Sequence, residues 1–170
     1  DWEFRRVLFR SSRDKKPIRK SRPERARREN QFAEPEIPIE IKVEDFPRRD
    51  SFSLQSLAQE NADRVARHLL ALTFFLESDP ERAFLHGQAA SYRAGRVALV
   101  RERAGIAALA AGHYQIAQKD LRAAARISGT KDVLAYIAQC ELALGKPRKT
   151  LEIAGSVRND ELSQSARVEM

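Results

Sequence analysis

From Ser53 onward the chain is punctuated at nearly even intervals. Ser78-Asp79-Pro80, Gly95, Gly112, Ser128-Gly129, Gly145 and Asn159-Asp160 interrupt it, with about 12 to 17 residues between most of them. Between the breaks, apolar residues recur with the period of a helix. The spacing predicts helices near 53–77, 80–94, 96–111, 113–128, 131–144, 146–157 and 160–170. Asp79 can accept from a first-turn amide, and the Pro80 ring fixes a helical φ at a position whose N–H has no partner in a helix. Helices of this length joined by turns of one to three residues pack as antiparallel hairpins, so the fold class is all-α.

Stacked hairpins need small side chains at recurring places, which makes comparison of the chain with itself at a fixed offset informative. At an offset of 34 residues, Ala71 meets Gly105, Ala83 meets Ala117, Ala90 meets Ala124, Gly95 meets Gly129 and Arg67 meets Arg101. Gly112 and Gly145 follow at 33. The register places Ala83 and Ala117 at the contact between paired helices and points Gln118 outward.

The stretch Arg101 to Gly129, RERAGIAALAAGHYQIAQKDLRAAARISG, resembles a tetratricopeptide repeat (TPR). Gly105 in its first helix, Gly112-His113-Tyr114 at its turn, then Ala117, Leu121 and Ala124 carry the likeness. Arg101, Ala104 and Ala108 stand where that family usually has Trp, Leu and Tyr, and Gly129 where it has Pro. Arg64–Val97 keeps Leu70, Ala71, Phe74, Ala83 and Ala90, and Lys131 onward keeps Leu134, Ile137, Ala138, Gly145 and Ala154. Through ADRVARHLL, DPERA, VRERAGIAALAAG and ELALGKP, Arg64–Met170 is similar to actinobacterial tetratricopeptide proteins with an arginine-rich tail, a group without an assigned reaction. The resemblance implies an α-α superhelix at 53–170 and a cytoplasmic adaptor for a protein or peptide.

It also implies a concave wall built from the first helix of each pair. With repeats opening near Arg64, Ala98 and Lys131, the second, fifth, ninth and twelfth positions are Val65, His68, Leu72 and Phe75, then Leu99, Glu102, Ile106 and Leu109, then Asp132, Ala135, Gln139 and Leu142. Chaperone-binding members of the family clamp a terminal carboxylate with Lys and Asn at the fifth and ninth positions. Here His68 with Leu72, and Glu102 with Ile106, do not supply that clamp. An alternative for the apolar groove is occlusion by the chain's own segment Ile37–Val43 or by further helices.

Residues 1–52 read as a tail. The net charge is +7, and it is segregated: residues 1–30 carry 12 basic and 5 acidic side chains, residues 31–50 carry 3 and 6. Asp1–Ser12, DWEFRRVLFRSS, looks like translated sequencing-adapter read-through and is set aside; the alternative is a native amphipathic segment for a membrane surface. A start without Met and an end inside a predicted helix suggest a piece of a longer protein. Arg13–Arg28 holds nine Lys or Arg among sixteen residues, too few of them apolar to offset the entropy of ordering. Lys15, Lys16, Arg19, Lys20, Arg22, Arg25, Arg27 and Arg28 could hold RNA, DNA or a ribosome by releasing counterions, without sequence specificity because no aromatic side chain lies among them. The acidic part, 31–52, alternates Ile37, Ile39, Ile41 and Val43 between Pro35, Pro38 and charged residues, and is expected as an extended linker lying on the helices.

No catalytic constellation is evident, and the expectation is a protein that is not an enzyme, with no cofactor, metal or small-molecule substrate. His68, His86 and His113 fall in different helices or turns without metal-ligand spacing, and are expected at the partly solvated surface. Cys140, alone in the chain, suits a buried helix position better than a nucleophile. No run of about 20 apolar residues suggests a membrane span.

Overall fold

The computed structural model describes residues 33–156, and within that range it is all-helical. The adapter-like segment, the basic run and the helix expected at 160–170 lie outside the described residues. The compact unit begins at Glu34, not at Ser53. A short helix α1 (Arg48–Ser51) is followed by five longer ones, α2 (Gln59–Phe75), α3 (Pro80–Ala94), α4 (Ala98–Ala110), α5 (Tyr114–Ser128) and α6 (Leu134–Ala143), and by α7 (Pro147–Gly155). Each long helix packs chiefly on its neighbours in sequence, with additional contact of α2 with α4 and of α4 with α6.

The helix starts follow from local chemistry. Asp79 accepts a hydrogen bond from the Arg82 amide at 3.1 Å, and Pro80 opens α3. Pro147 opens α7 in the same way. Gly112, Gly129 and Gly145 turn the chain with φ between 72° and 79°, a left-handed conformation that glycine adopts without Cβ strain. Gly95 differs. Its φ is −65°, and a Cβ there would stand 2.6 Å from the Ser91 carbonyl and 2.7 Å from the Arg101 guanidinium. This position needs glycine for close approach, not for backbone freedom.

The first helix is shorter than the periodicity indicates. Between residues 53 and 58 the chain makes a one-turn 3-10 helix, Phe52–Leu54, and then an extended Ala58 with ψ 142°. The break turns Leu54 onto Val65, Ala66 and Leu69, which an unbroken helix from 53 could not reach with its own side chains. The extended linker is also more structured than expected. Ile41 bonds back to the Pro38 carbonyl at 3.1 Å, the turn throws Ile39 into solvent, and Val43–Asp45 form a single 3-10 turn that brings Val43 and Phe46 onto the core.

Of the positions found by the 34-residue offset, the alanines and Gly105 are the tight ones, whereas Arg67 and Gly129 are exposed. Ala71, Ala83, Ala90, Ala117 and Ala124 are all buried, as is Gly105. A Cβ on Gly105 would lie 2.7 Å from Leu121 Cγ, so α5 sits against bare α4 backbone there. In the preceding pair the sizes are exchanged: Gly87 of α3 receives Leu72 of α2, and a Cβ on Gly87 would lie 3.2 Å from Leu72 Cδ1 and 3.1 Å from the α4 backbone at Ala104. Gln118 corrects the outward assignment, because its amide nitrogen is buried. Lys119 is the exposed neighbour.

Ala117→Leu is expected to cost about 1 to 3 kcal/mol through overpacking, and Lys119→Leu less than about 0.5 kcal/mol, as read by urea unfolding of the full chain. Equal losses would show that α5 presents a different face to α4.

Candidate functional site

The wall expected to be open divides into a buried and an accessible part. In α2, Val65, His68, Leu72 and Phe75 are buried, which removes them from any open surface. Their side chains meet α3 instead: Leu72 packs at Gly87, the Phe75 ring stacks on His86 with centroids 5.7 Å apart, and the Arg82 guanidinium lies 4.0 Å over that Phe75 ring. Ala135 of α6 is buried too. In α4, Leu99, Glu102, Ile106 and Leu109 are half-buried, and Gln139 and Leu142 of α6 are exposed. Asp132, just before α6, is half-buried.

The accessible side of α2 and α4 carries a cleft of about 270 Å³, lined by Leu69, Leu70 and Thr73 of α2, Leu99 and Arg103 of α4, and residues 45–50. Of the segment before α2, Asp45, Phe46, Pro47 and Asp50 line this cleft and Ile37–Val43 do not, and of the expected wall only Leu99 does. Phe46 is half-buried there, and the Asp50 carboxylate faces Arg103 at 3.7 Å. Beside it, burial pushes the Glu102 carboxyl above its usual range, and the carboxylates of Asp132 and Asp50 add to the shift while Arg103 opposes it.

His68 and His86, expected near solvent, are the largest departure. Both are buried, 1% and 0% exposed, and their Nδ1 atoms are 3.1 Å apart. Two nitrogens at this distance share one proton, so one ring donates and the other accepts. His68 Nε2 lies 3.8 Å from Glu34 Oε2, which favours the proton on that nitrogen and leaves His68 Nδ1 to accept from His86. Desolvation by burial is the main cause that lowers both imidazoles to about 4; His86 adds to the shift of His68, and Arg82 to that of His86. At neutral pH both rings are uncharged.

Glu34 closes this end of the molecule. Its carboxylate is held by Arg93, with Nε at 2.6 Å and the terminal nitrogen donating at 2.9 Å, and Arg64 lies at 3.4 Å. The hydrogen bond from Arg93 is the leading cause that holds its carboxyl below the usual range. The spacing of His68, Leu72 and Phe75, at i, i+4 and i+7, is the signal that places this histidine on the buried face. Nothing in the sequence connects Glu34 to Arg93.

His113 takes the turn position expected, half-exposed, with Nε2 2.9 Å from Glu81 and its ring against Phe84. Asp120 and Glu102 do not form an acid pair: Asp120 accepts from Arg101 at 2.6 Å, and Arg101 Nε donates to the Gly95 carbonyl at 2.7 Å. Cys140 is fully buried, and desolvation raises its thiol to about 11, which keeps it protonated and poorly nucleophilic. Among the described residues no three His, Cys, Asp or Glu side chains are placed to hold a metal ion, and no described helix is long and apolar enough to cross a membrane.

What these residues do chemically is hold surfaces together. The buried imidazoles offer no face to a substrate, and the accessible features are an apolar cleft with one cation and, further along, half-buried and exposed apolar side chains of α4 and α6. Comparisons with protein-family models, curated proteins and solved structures find no match.

The two imidazoles make stability depend on pH. Their folded values lie below the ordinary 6.5, so the unfolded chain binds more protons between about 4 and 6.5, and stability is complete above 6.5 and falls as pH drops through this window. Because the two rings meet at their Nδ1 atoms, the loss belongs to the pair and not to either ring alone. Replacing both with Leu is expected to flatten the urea midpoint over that range; an unchanged slope would assign it to other groups.

Proposed function

We propose that the helical body is a non-enzymatic scaffold, a tetratricopeptide-like superhelix whose first-of-pair helices, α2, α4 and α6, receive an extended peptide or a partner helix. The observation that carries this reading is the 34-residue register of buried small residues, Ala71 with Gly105, Ala83 with Ala117 and Ala90 with Ala124. Such a register would let successive hairpins stack in one direction, and the contacts of α2 with α4 and of α4 with α6 support that reading. Leu99, Ile106, Leu109 and Leu142 supply apolar area on it, while Glu102 and Gln139 supply polar groups. The chemistry of His68, His86 and Cys140, all buried, supports binding over catalysis.

Affinity capture from the source organism's lysate with the full chain is expected to retain a small set of proteins. Glu102→Lys and Leu142→Glu should lose them, whereas Lys119→Glu on the other helix of a pair should not. Retention of nothing, or of the same proteins by all three variants, would remove the proposed face from the function.

A second reading has its own observation, the concentration of nine cations in Arg13–Arg28, and places the protein on RNA or DNA through that run. Its affinity for RNA is expected to fall by about 0.7 to 0.9 log units per log unit of salt for each phosphate contacted. Changing Lys15, Lys16, Arg19, Lys20, Arg22, Arg25, Arg27 and Arg28 to Gln should abolish that slope. An unaltered slope would exclude the run as the contact.

A further inference from the structure

We infer that the cleft between α2 and α4 is a docking site for a short helical-turn segment that carries an aromatic side chain and, four residues later, a carboxylate, and that Phe46 and Asp50 hold it in cis until such a segment displaces them. This deepens the scaffold reading and rests on it for the role of that face.

The chain's own segment defines the ligand chemistry. Leu69, Leu70 and Leu99 form the apolar wall beside Phe46, and Arg103 is the cation opposite Asp50. The fit of this segment is loose. Besides the 270 Å³ cleft on one side of Phe46, a second cavity of about 310 Å³ opens on its other side, towards Leu54 and Leu57. Both are open to solvent, so the segment leaves Leu70 and Leu99 only half-buried beside Phe46 and their remaining apolar surface free for a larger side chain. Asp50 and Arg103 at 3.7 Å stand beyond hydrogen-bonding distance, although a guanidinium can take a carboxylate in two bonds of about 2.7 to 2.9 Å. A ligand free of the cis tether can reach that geometry and fill the wall with a deeper aromatic side chain.

The segment is also built to lift. It is pinned at Glu34 by Arg93 and at the buried Leu54, and between these anchors its backbone hydrogen bonds are local: Asp45 to Lys42, Phe46 to Val43, and Asp50 and Ser51 to Pro47. Displacing residues 43–50 therefore breaks none of these bonds and exposes Val43, one aromatic ring and one ion pair.

The test uses a fluorescein-labelled peptide with the sequence of Val43–Leu54 and measures its polarisation with full chains. Phe46→Ala combined with Asp50→Ala loosens the cis segment, and this chain is expected to bind the peptide at least about tenfold more tightly than the native one, because a tethered competitor acts at a millimolar effective concentration. Adding Arg103→Glu should abolish binding, and a peptide bearing Lys in place of its aspartate at position 50 should restore it. In the native chain, excess peptide should move the Phe46 ring resonances toward those of a solvent-exposed phenylalanine. No saturable binding by the loosened chain, or binding indifferent to Arg103, overturns the inference. Should the loosened chain fail to fold, unaltered Phe46 ring resonances in the native chain at millimolar peptide overturn it as well. Peptide binding through Arg103 with no captured partner sinks the scaffold role alone; capture without peptide binding sinks the cleft alone.

Discussion

Helices α4 and α5 meet where one of them has no side chain. Leu121 lies so near the α4 backbone that a single methyl at Gly105 would stand 2.7 Å from its Cγ, and the turn Ala111–His113 can be short only because the two helices run this close. The preceding hairpin reaches the same closeness with the sizes reversed, Leu72 of α2 reaching Gly87 of α3. One large and one missing side chain per contact keep the total volume similar, which is the condition for dense packing. Gly87 and Leu121 are 34 residues apart and so equivalent in the register, but Leu72 corresponds to Ile106, and the equivalent of Gly105 is Ala71. The two hairpins reach close contact with the glycine on different helices, and the large residue of the first lies one position away from strict register.

Close packing at small residues leaves little room for charge between the helices, and the ion pairs accordingly gather at their ends and edges. Arg101 joins the end of α3 to Asp120 of α5, and Arg122 joins α5 to Glu141 of α6, whose carboxylate also lies 3.7 Å from Lys146 at the start of α7. Arg122 with Glu141 joins two successive hairpins, whereas Arg101 with Asp120 and Lys146 with Glu141 each tie the two helices of one hairpin. Glu141 is 1% exposed while Arg122 is half-exposed, so removing the arginine takes a partner from a desolvated carboxylate, a larger penalty than the pair's own contribution in water.

The parts legible in the sequence were those decided within a few residues. Asp79-Pro80 marked the start of α3 correctly, and Gly112, Gly129 and Gly145 marked helix ends, because caps and left-handed turns are local chemistry. The alanine register was legible for a different reason: it recurs, and recurrence exposes a requirement that one copy would hide. His68 and His86 were misplaced because each was judged by its own polarity, whereas the Nδ1 atoms of the two rings pair with one another across two helices. Gln118 was misplaced for a similar reason, since side-chain type suggested solvent while its position in α5 buries the amide. The covering segment was the least legible, because Glu34 with Arg93 and Asp50 with Arg103 are long-range pairs that no local pattern encodes. Sequence therefore located the accessible α4 and α6 positions of the face but not what occupies its beginning.

An array of hairpins in which each contacts only its neighbours exposes an apolar surface at both ends. At the beginning, that surface is met by Val43, Phe46, Leu54 and Leu57, which pack on Val65, Ala66 and Leu69 of α2. At the other end, Ile153 of α7 packs on the preceding cluster, whereas Leu151 is 73% exposed. The two ends thus place different demands on their occupants. The segment at the beginning leaves clefts open to solvent on both sides of Phe46, where it crosses α2 and α4. A segment that covered this surface completely would bury more apolar area and be harder to displace, so the open clefts suit the exchange proposed for Phe46 and Asp50.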